Sequence, residues 1–357
     1  MANVSLTQQL NDSSSVVAVQ DLSYGEAMAA CIIYSLITVV AVIGNATVIF
    51  IVCYFRHMRT GNNLLLANLA VADLLMAVLC IPFSFVSSII LQYWPFGWLL
   101  CKMINFSQAV TVMSSAYTLI AISIDRFFAI LFPMNTYLKI TNGKALFRIA
   151  VVWLVAILIA SPLLGVWHCV EDWSFGNVTE NEGEYDYSMA AMFLQYFVPF
   201  MVLSLTYAGI GLKIWFARIP GDASGRPSQD RKLIVKKMIP TMFIVTTVYT
   251  ICWLPINVFN IYRSLKPEVN EHPFVLYIWW GCHTIAMSHC LVNPIIYVRR
   301  NRRFRNGFCF VFRWIPGIRY DECTSTALGK SGTVRGVQQI SPCLLIHNKH
   351  KNFDEES

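Results

Sequence analysis

Three ionisable residues stand in surroundings that ordinarily exclude charge. Asp73 closes the string LANLAVAD, and Asp125 and Arg126 sit together in ISIDRFFAI, each within or at the end of an apolar run. An ionisable group there costs on the order of 3 kcal/mol or more and persists where it has a partner or a task. A lone carboxylate offers a cation site, and a carboxylate beside a guanidinium offers an ion pair whose basic side never loses its charge. Enzymatic sets are missing. His283 and His289 share one apolar run without an acidic residue at the spacing of an HExxH zinc helix, no serine–histidine–acid set can be assembled, and Gly221–Gly225 resembles no phosphate loop. His289 reads as an interior hydrogen-bonding residue, not a metal ligand. An enzyme is not expected, with no catalytic residue to name, and the three ionisable residues read either as functional groups or as satisfied interior polar groups and span ends.

The elements that hold them follow from composition. The 357 residues are 56% hydrophobic and 13% charged, against roughly 25% charged in a soluble domain. A bilayer solvates such a chain, and a spanning helix needs about 20 apolar residues because each backbone group must be satisfied within the segment. Seven stretches qualify: Met28–Tyr54, Asn63–Leu91, Leu99–Leu131, Leu146–His168, Met189–Phe216, Ile234–Tyr262 and Phe274–Arg299. After them, Arg299–Phe312 alternates basic with aromatic and aliphatic residues, the pattern of an amphipathic helix lying on the inner leaflet. The expected fold is an all-α membrane protein, a seven-transmembrane helix bundle with a short amphipathic eighth helix. Its expected divisions are a tail over 1–27, the bundle over 28–299, the membrane-surface helix over 300–313 and a polar, disordered tail over 314–357.

Charge placement orients the bundle. Arg56, Arg59, Lys139, Lys144, Arg148, Lys213, Arg218, Arg226, Arg231, Lys232, Lys236, Lys237 and Arg299–Arg305 fall on one side when the spans alternate. The other side holds few basic residues beside the acidic run Glu171, Asp172, Glu180, Glu182, Glu184 and Asp186. Basic residues stay cytoplasmic, so the amino end is expected outside, in the plasma membrane. Met1–Glu26 lacks a basic start followed by a short apolar core, so the first span is expected to serve as its own insertion signal. Glycosylation sequons at Asn3, Asn11 and Asn177 fall outside, whereas those at Asn45 and Asn105 lie within spans. Of eleven cysteines, Cys101 and Cys169 lie at the oxidising outer face, where a disulfide is permitted and two free thiols are the alternative. Cys309, on the amphipathic helix, is either a palmitoylation site or an unmodified thiol. The positive charge faces lipid, and no nucleic-acid partner is expected.

Short strings recur in order through the spans: GN at Gly44–Asn45, LAVAD to Asp73, Cys101 followed by DRF at Asp125–Phe127, Trp153 and Pro162, Pro199 and Tyr207, CWLP at Cys252–Pro255, and NPIIY at Asn293–Tyr297. Together they resemble the rhodopsin-like (class A) G-protein-coupled receptors, over all seven spans. The resemblance implies a Cys101–Cys169 disulfide and a sodium-binding cluster of Asn45, Asp73, Ser115 and Asn293, the ion favouring the resting state. It also implies an Asp125–Arg126 latch, with Phe127 where the family has tyrosine. Trp253 becomes a ligand sensor beside the Pro255 kink, with Tyr249 where phenylalanine is common, and Tyr207, Pro294 and Tyr297 complete the activation set. The implied partners are an extracellular ligand and a heterotrimeric G protein, with arrestin and receptor kinases acting on tail residues such as Thr324, Ser325, Ser331 and Thr333.

Two positions narrow the ligand. Gln108 stands seven residues after Cys101, where amine receptors carry an aspartate, and Met287 stands seven before Pro294, where opsins carry the retinal lysine. The strings WPFGWLLC and AMSHCLVNPIIY resemble peptide receptors of the neuropeptide Y, RYamide and tachykinin group. In that group Gln108, Gln195, Asn260 and His283 match residues that read an amidated peptide C-terminus, and neutral amides both donate and accept as a carboxamide does. Ser264 replaces the group's aspartate for a ligand arginine, so Glu182, Glu184 or Asp186 is expected to supply that charge. The expectation is a receptor for an amidated Arg-Phe or Arg-Tyr peptide. A different peptide class, such as tachykinin-like, and a transporter remain as alternatives; internal repeats or paired interrupted spans would mark the latter, and neither is seen.

Overall fold

The computed structural model describes residues 23–91, 93–132, 140–166, 189–216, 229–266, 268–269 and 272–318, with side chains of 166, 214–216 and 229–240 left aside. Within these it has seven helices long and apolar enough to cross a membrane. They are α1 (Tyr24–Tyr54), α2 (Gly61–Leu91), α3 (Trp98–Leu131), α4 (Asn142–Ala160), α5 (Met189–Lys213), α6 (Gln229–Leu265) and α7 (Val275–Arg300), followed by α8 (Arg302–Val311). Glu182, Glu184, Asp186, Cys169, Asn3, Asn11, Asn177 and the tail beyond residue 318 lie outside the described residues.

Several ends differ from the apolar limits, for local reasons. Ser23 and Glu26 cap α1 reciprocally, so the helix starts four residues before Met28. Thr60 and Thr141 cap α2 and α4 in one direction only, accepting from the N–H groups of Asn63 and Lys144, ahead of the apolar residues. The fourth helix, expected to reach His168, stops at Ala160: the chain turns at Ser161–Pro162 and only a short piece, Leu163–Val166, follows. Pro162 carries no N–H and its ring clashes with the preceding turn.

Prolines inside the spans decide how the helices touch. In α7, Pro294 cannot bond the carbonyl of Cys290, and the Asn45 Nδ2 of α1 donates to that oxygen at 2.8 Å. Gly44 makes this possible, since a Cβ there would lie 2.9 Å from the Pro294 ring. In α5 a π-helical turn, Phe193–Phe197, precedes Pro199: Val198 N–H reaches back to Phe193, and the orphaned Leu194 carbonyl accepts from the Tyr117 hydroxyl of α3 at 3.2 Å. A similar wide turn, Met76–Cys80, precedes Pro82 in α2.

Small residues on α3, among them Ser114, Ser115, Ala116 and Thr118, are wholly buried and let neighbouring helices close on it. Asn68 ties α2, α3 and α4 together, accepting from Trp153 Nε1 and donating to Thr118, both at 2.8 Å. The outward faces carry Ile32, Leu36, Val39, Leu154, Leu158, Leu205 and Val258, apolar and exposed, as a helix solvated by hydrocarbon requires. The outer entry to α3 is set by Trp94, buried with its Nε1 donating to Gly97 at 2.8 Å, and by Gly97 itself at φ 79°. Cys101 just beyond is disulfide-bonded. Asn301 caps α8, which packs Phe304 under Tyr297 (ring centroids 5.5 Å) and presents Gly307 to Ile51 of α1.

The Gly44–Pro294 approach yields a prediction. Gly44→Val is expected to cost about 1–3 kcal/mol by overpacking, read as a lower half-inactivation temperature of the detergent-solubilised protein. An unchanged temperature would contradict the close approach.

Candidate functional site

The polar residues collect at three levels of the bundle. At mid-depth, Asp73 of α2 is fully buried and each oxygen is engaged: Oδ1 accepts from Ser115 at 3.1 Å, Oδ2 from Asn293 Nδ2 at 2.7 Å. Ser115 and Asn293 therefore meet Asp73 as the sequence predicts. Asn45 does not; both its N–H groups go to the carbonyls of Ala41 and Cys290, and its Oδ1 is buried with no hydrogen-bond partner. In its place stands His289, whose Nε2 lies 3.5 Å from Asp73 Oδ1. Cys290 Sγ lies 3.6 Å from the same nitrogen. Sodium, a hard ion, seeks oxygen ligands; with a nitrogen and a sulfur beside Asp73, the donor set fits that ion poorly.

His289 also joins this level to the one above. Its ring lies 5.4 Å from Trp253 and edge-on to Tyr249 at 5.7 Å, while Tyr249 and Trp253 are 6.1 Å apart. The Trp253 indole N–H and the Tyr249 hydroxyl are buried and without hydrogen-bond partners. Such atoms cost about 1–3 kcal/mol each. The Trp253 carbonyl accepts from Asn257 Nδ2 at 2.7 Å across the turn that holds Pro255. Tyr297 is buried beneath, its hydroxyl likewise without a partner.

At the inner end, Arg126 pairs with Asp125 at 3.1 Å and donates to Asn62 Oδ1 of α2 at 2.7 Å. A second cation, Arg148 of α4, stands 3.5 Å from the other oxygen of Asp125, a charge contact without hydrogen-bond geometry. Sequence reading identified neither Asn62 nor the pairing role of Arg148; polar residues near a span end resemble ordinary surface residues until the fold closes over them. Phe127 turns its ring edge to Gly209 of α5, where a Cβ would lie 2.7 Å from Cε2. Tyr207 meets Thr246 of α6 at 3.3 Å.

At the outer end, Gln108 is half-buried and its Oε1 accepts from Ser84 at 3.1 Å. Gln195 lies in the π-helical turn of α5, half-buried. Asn260 lies seven residues beyond Trp253 and four beyond Ile256, on the inward face of α6, yet it is exposed. His283 is buried, stacked on Trp279 at 4.7 Å, with Nδ1 2.7 Å from the Tyr34 hydroxyl. Thr284 donates to that hydroxyl at 3.1 Å, so the Tyr34 proton goes to Nδ1 and Nε2 of His283 carries the ring's own proton. Tyr34, stacked on Phe85 at 4.7 Å, and Trp279 belong to this group without any sequence string to announce them.

Known proteins are consistent with this layout. The chain is 41% identical over 310 residues to neuropeptide receptor 22 of Caenorhabditis elegans, covering 82% of this chain and 71% of the relative. It is 40% identical over 326 residues to the RYamide receptor of Drosophila melanogaster (87% and 68%) and 42% identical over 306 residues to that of Tribolium castaneum (80% and 81%). Residues 44–297 match the family described as 7 transmembrane receptor (rhodopsin family). With seven spans, the ordered strings and that match in hand, the chain belongs to the rhodopsin family of seven-transmembrane receptors.

Proposed function

We propose that this chain is a plasma-membrane receptor, amino end outside, that binds a C-terminally amidated neuropeptide of the Arg-Phe or Arg-Tyr type and activates a heterotrimeric G protein. The observation that carries the reading is Asn260, exposed on α6 two turns beyond the buried Trp253. Gln108, Gln195, Asn260 and the Nε2–H of His283 give a carboxamide donors and acceptors together, with no fixed charge to favour a free carboxylate or an amine. The relatives named for RYamide support the peptide class. Glu182, Glu184 or Asp186 supplies the counter-charge for a ligand arginine, the second outer loop being held by a Cys101–Cys169 bond and carrying Asn177 as one of three glycans with Asn3 and Asn11.

The signal passes downward by contact. A peptide pressing on Trp253 moves His289, and through it Asp73 and the Asn293–Pro294 turn of α7. The sixth helix swings about Pro255, Tyr207 and Tyr297 regroup, and Arg126 leaves Asp125 and Asn62 to meet the G protein. Arrestin and receptor kinases act afterwards on the polar tail. Acylation of Cys309, a residue 6% exposed on α8, would anchor that helix further.

Two outcomes follow. In cells expressing the chain, amidated peptides should evoke responses at far lower concentrations than their free acids, and Gln108→Ala should cost about 1–3 kcal/mol in potency, roughly five- to 150-fold, at equal surface expression. Equal potency of amide and acid would sink the reading. Arg148→Ala should raise basal nucleotide exchange up to about fivefold by removing ~0.2–1 kcal/mol of attraction on Asp125; unchanged basal exchange would show that Arg148 plays no part in the latch.

A further inference from the structure

The group at the centre of the bundle has donors that the peptide mechanism does not require. One oxygen of Asp73, one nitrogen of His289 and the sulfur of Cys290 all lie within 4.8 Å of one another, and all three residues are buried. His289 Nδ1 is 2.7 Å from the Ala286 carbonyl. A carbonyl only accepts, so Nδ1 carries a proton, and the neutral ring then turns a bare lone pair at Nε2 towards the carboxylate at 3.5 Å and the sulfur at 3.6 Å. The Cys290 thiol can donate to that lone pair only over a long contact, and a cation among the three atoms would take the place of its single proton.

The spacing identifies the kind of cation. Tetrahedral zinc, with bonds of about 2.3 Å to sulfur and about 2.0–2.2 Å to nitrogen and oxygen, sets its ligand atoms roughly 3.4–3.6 Å apart. The two edges found are 3.6 Å for sulfur to nitrogen and 3.5 Å for nitrogen to oxygen. A mixed oxygen, nitrogen and sulfur set selects borderline transition ions over hard ones. The surroundings are those of a metal site: the far nitrogen of the imidazole is fixed by a backbone carbonyl, and the carboxylate by Ser115 and Asn293. Asn45, which caps the Cys290 carbonyl, keeps a buried Oδ1 without a hydrogen-bond partner.

We infer that Asp73, His289 and Cys290 form a buried site for a borderline divalent transition ion, zinc being the type case, in place of the sodium site. Binding exchanges the thiol proton of Cys290 for a metal–sulfur bond and releases that proton to solvent. One thiolate, one carboxylate and one divalent cation sum to zero charge, which suits burial. The bond at Nε2 also locks the imidazole beneath Trp253, so the ion holds the resting arrangement of α2, α6 and α7 and acts as a negative modulator. His289 is then a metal ligand, beyond the hydrogen-bonding role read from sequence.

The test uses the full-length receptor in lipid nanodiscs, stripped by chelator and without peptide, so its failure is separate from failure of the peptide assignment. Cobalt added as a zinc surrogate should give a thiolate-to-metal absorption band in the near ultraviolet. Zinc should be retained at about one ion per receptor and should raise the half-inactivation temperature. Cys290→Ser and His289→Asn should each lose the band or weaken zinc binding at least tenfold, and basal nucleotide exchange of the unmodified receptor should fall with zinc. Absence of the cobalt–thiolate band in the unmodified protein overturns the inference even if neither variant folds, leaving a proton on the imidazole as the cation. Equal zinc retention by folded variants overturns it as well, placing the metal elsewhere.

Discussion

In hydrocarbon a backbone carbonyl without a partner has no water to fall back on. Each proline inside a span creates such a carbonyl, and the contacts between helices here are largely answers to that problem. Asn45 answers for Pro294 by bonding the Cys290 oxygen, and Gly44 clears the space that lets it do so. Tyr117 answers for Pro199 by taking the Leu194 oxygen that the wide turn leaves bare. The bond from α1 to α7 and the bond from α3 to α5 are therefore consequences of where helices are broken. The kinks that permit motion and the bonds that fix neighbours have one origin.

The same scarcity of water explains why polar residues lie in clusters. Asp73 is tolerable because Ser115 and Asn293 saturate its oxygens and His289 stands beside it. Asp125 is tolerable because two arginines face it. Between these clusters the Trp253 indole, the Tyr249 hydroxyl and the Tyr297 hydroxyl are buried and without hydrogen-bond partners. A switch needs an alternative arrangement of nearly equal free energy, and groups dissatisfied in one arrangement lower the cost of leaving it. Saturation at the clusters and dissatisfaction between them divide the bundle into parts that hold and parts that move.

How much of this was legible in the sequence depends on the range of the physics involved. Seven apolar runs and their order are local and were readable, as were the strings from Gly44 to Tyr297. Helix ends were less so, because Ser23, Thr60 and Thr141 act from outside the apolar windows and Pro162 acts from within one. Long-range partners were not readable. Nothing in the order of residues says that Asn45 turns from Asp73 to a carbonyl 245 positions away, or that Asn62 and Arg148 converge on the Asp125–Arg126 pair. His289 carried a signal, an ionisable ring inside a span, but its meaning needed the third residue, Asp73, brought 3.5 Å away by folding.

The asymmetry between the two ends has a physical rationale. At the inner end Arg126 is held by a charge on its own helix and an amide on α2, both short contacts among rigid elements, so release needs a definite input. At the outer end the amides Gln108, Gln195 and Asn260 are only half-buried or exposed, within reach of water, and Gln108 also accepts from Ser84. A ligand that replaces that water with its own paired groups gains little from each bond, because water was already an adequate partner. What it gains instead is shape: apolar contact with Trp253 and its neighbours, which water cannot supply. In the proposed reading, recognition by amides and actuation by an aromatic are separate tasks, set two turns apart on α6 at Asn260 and Trp253.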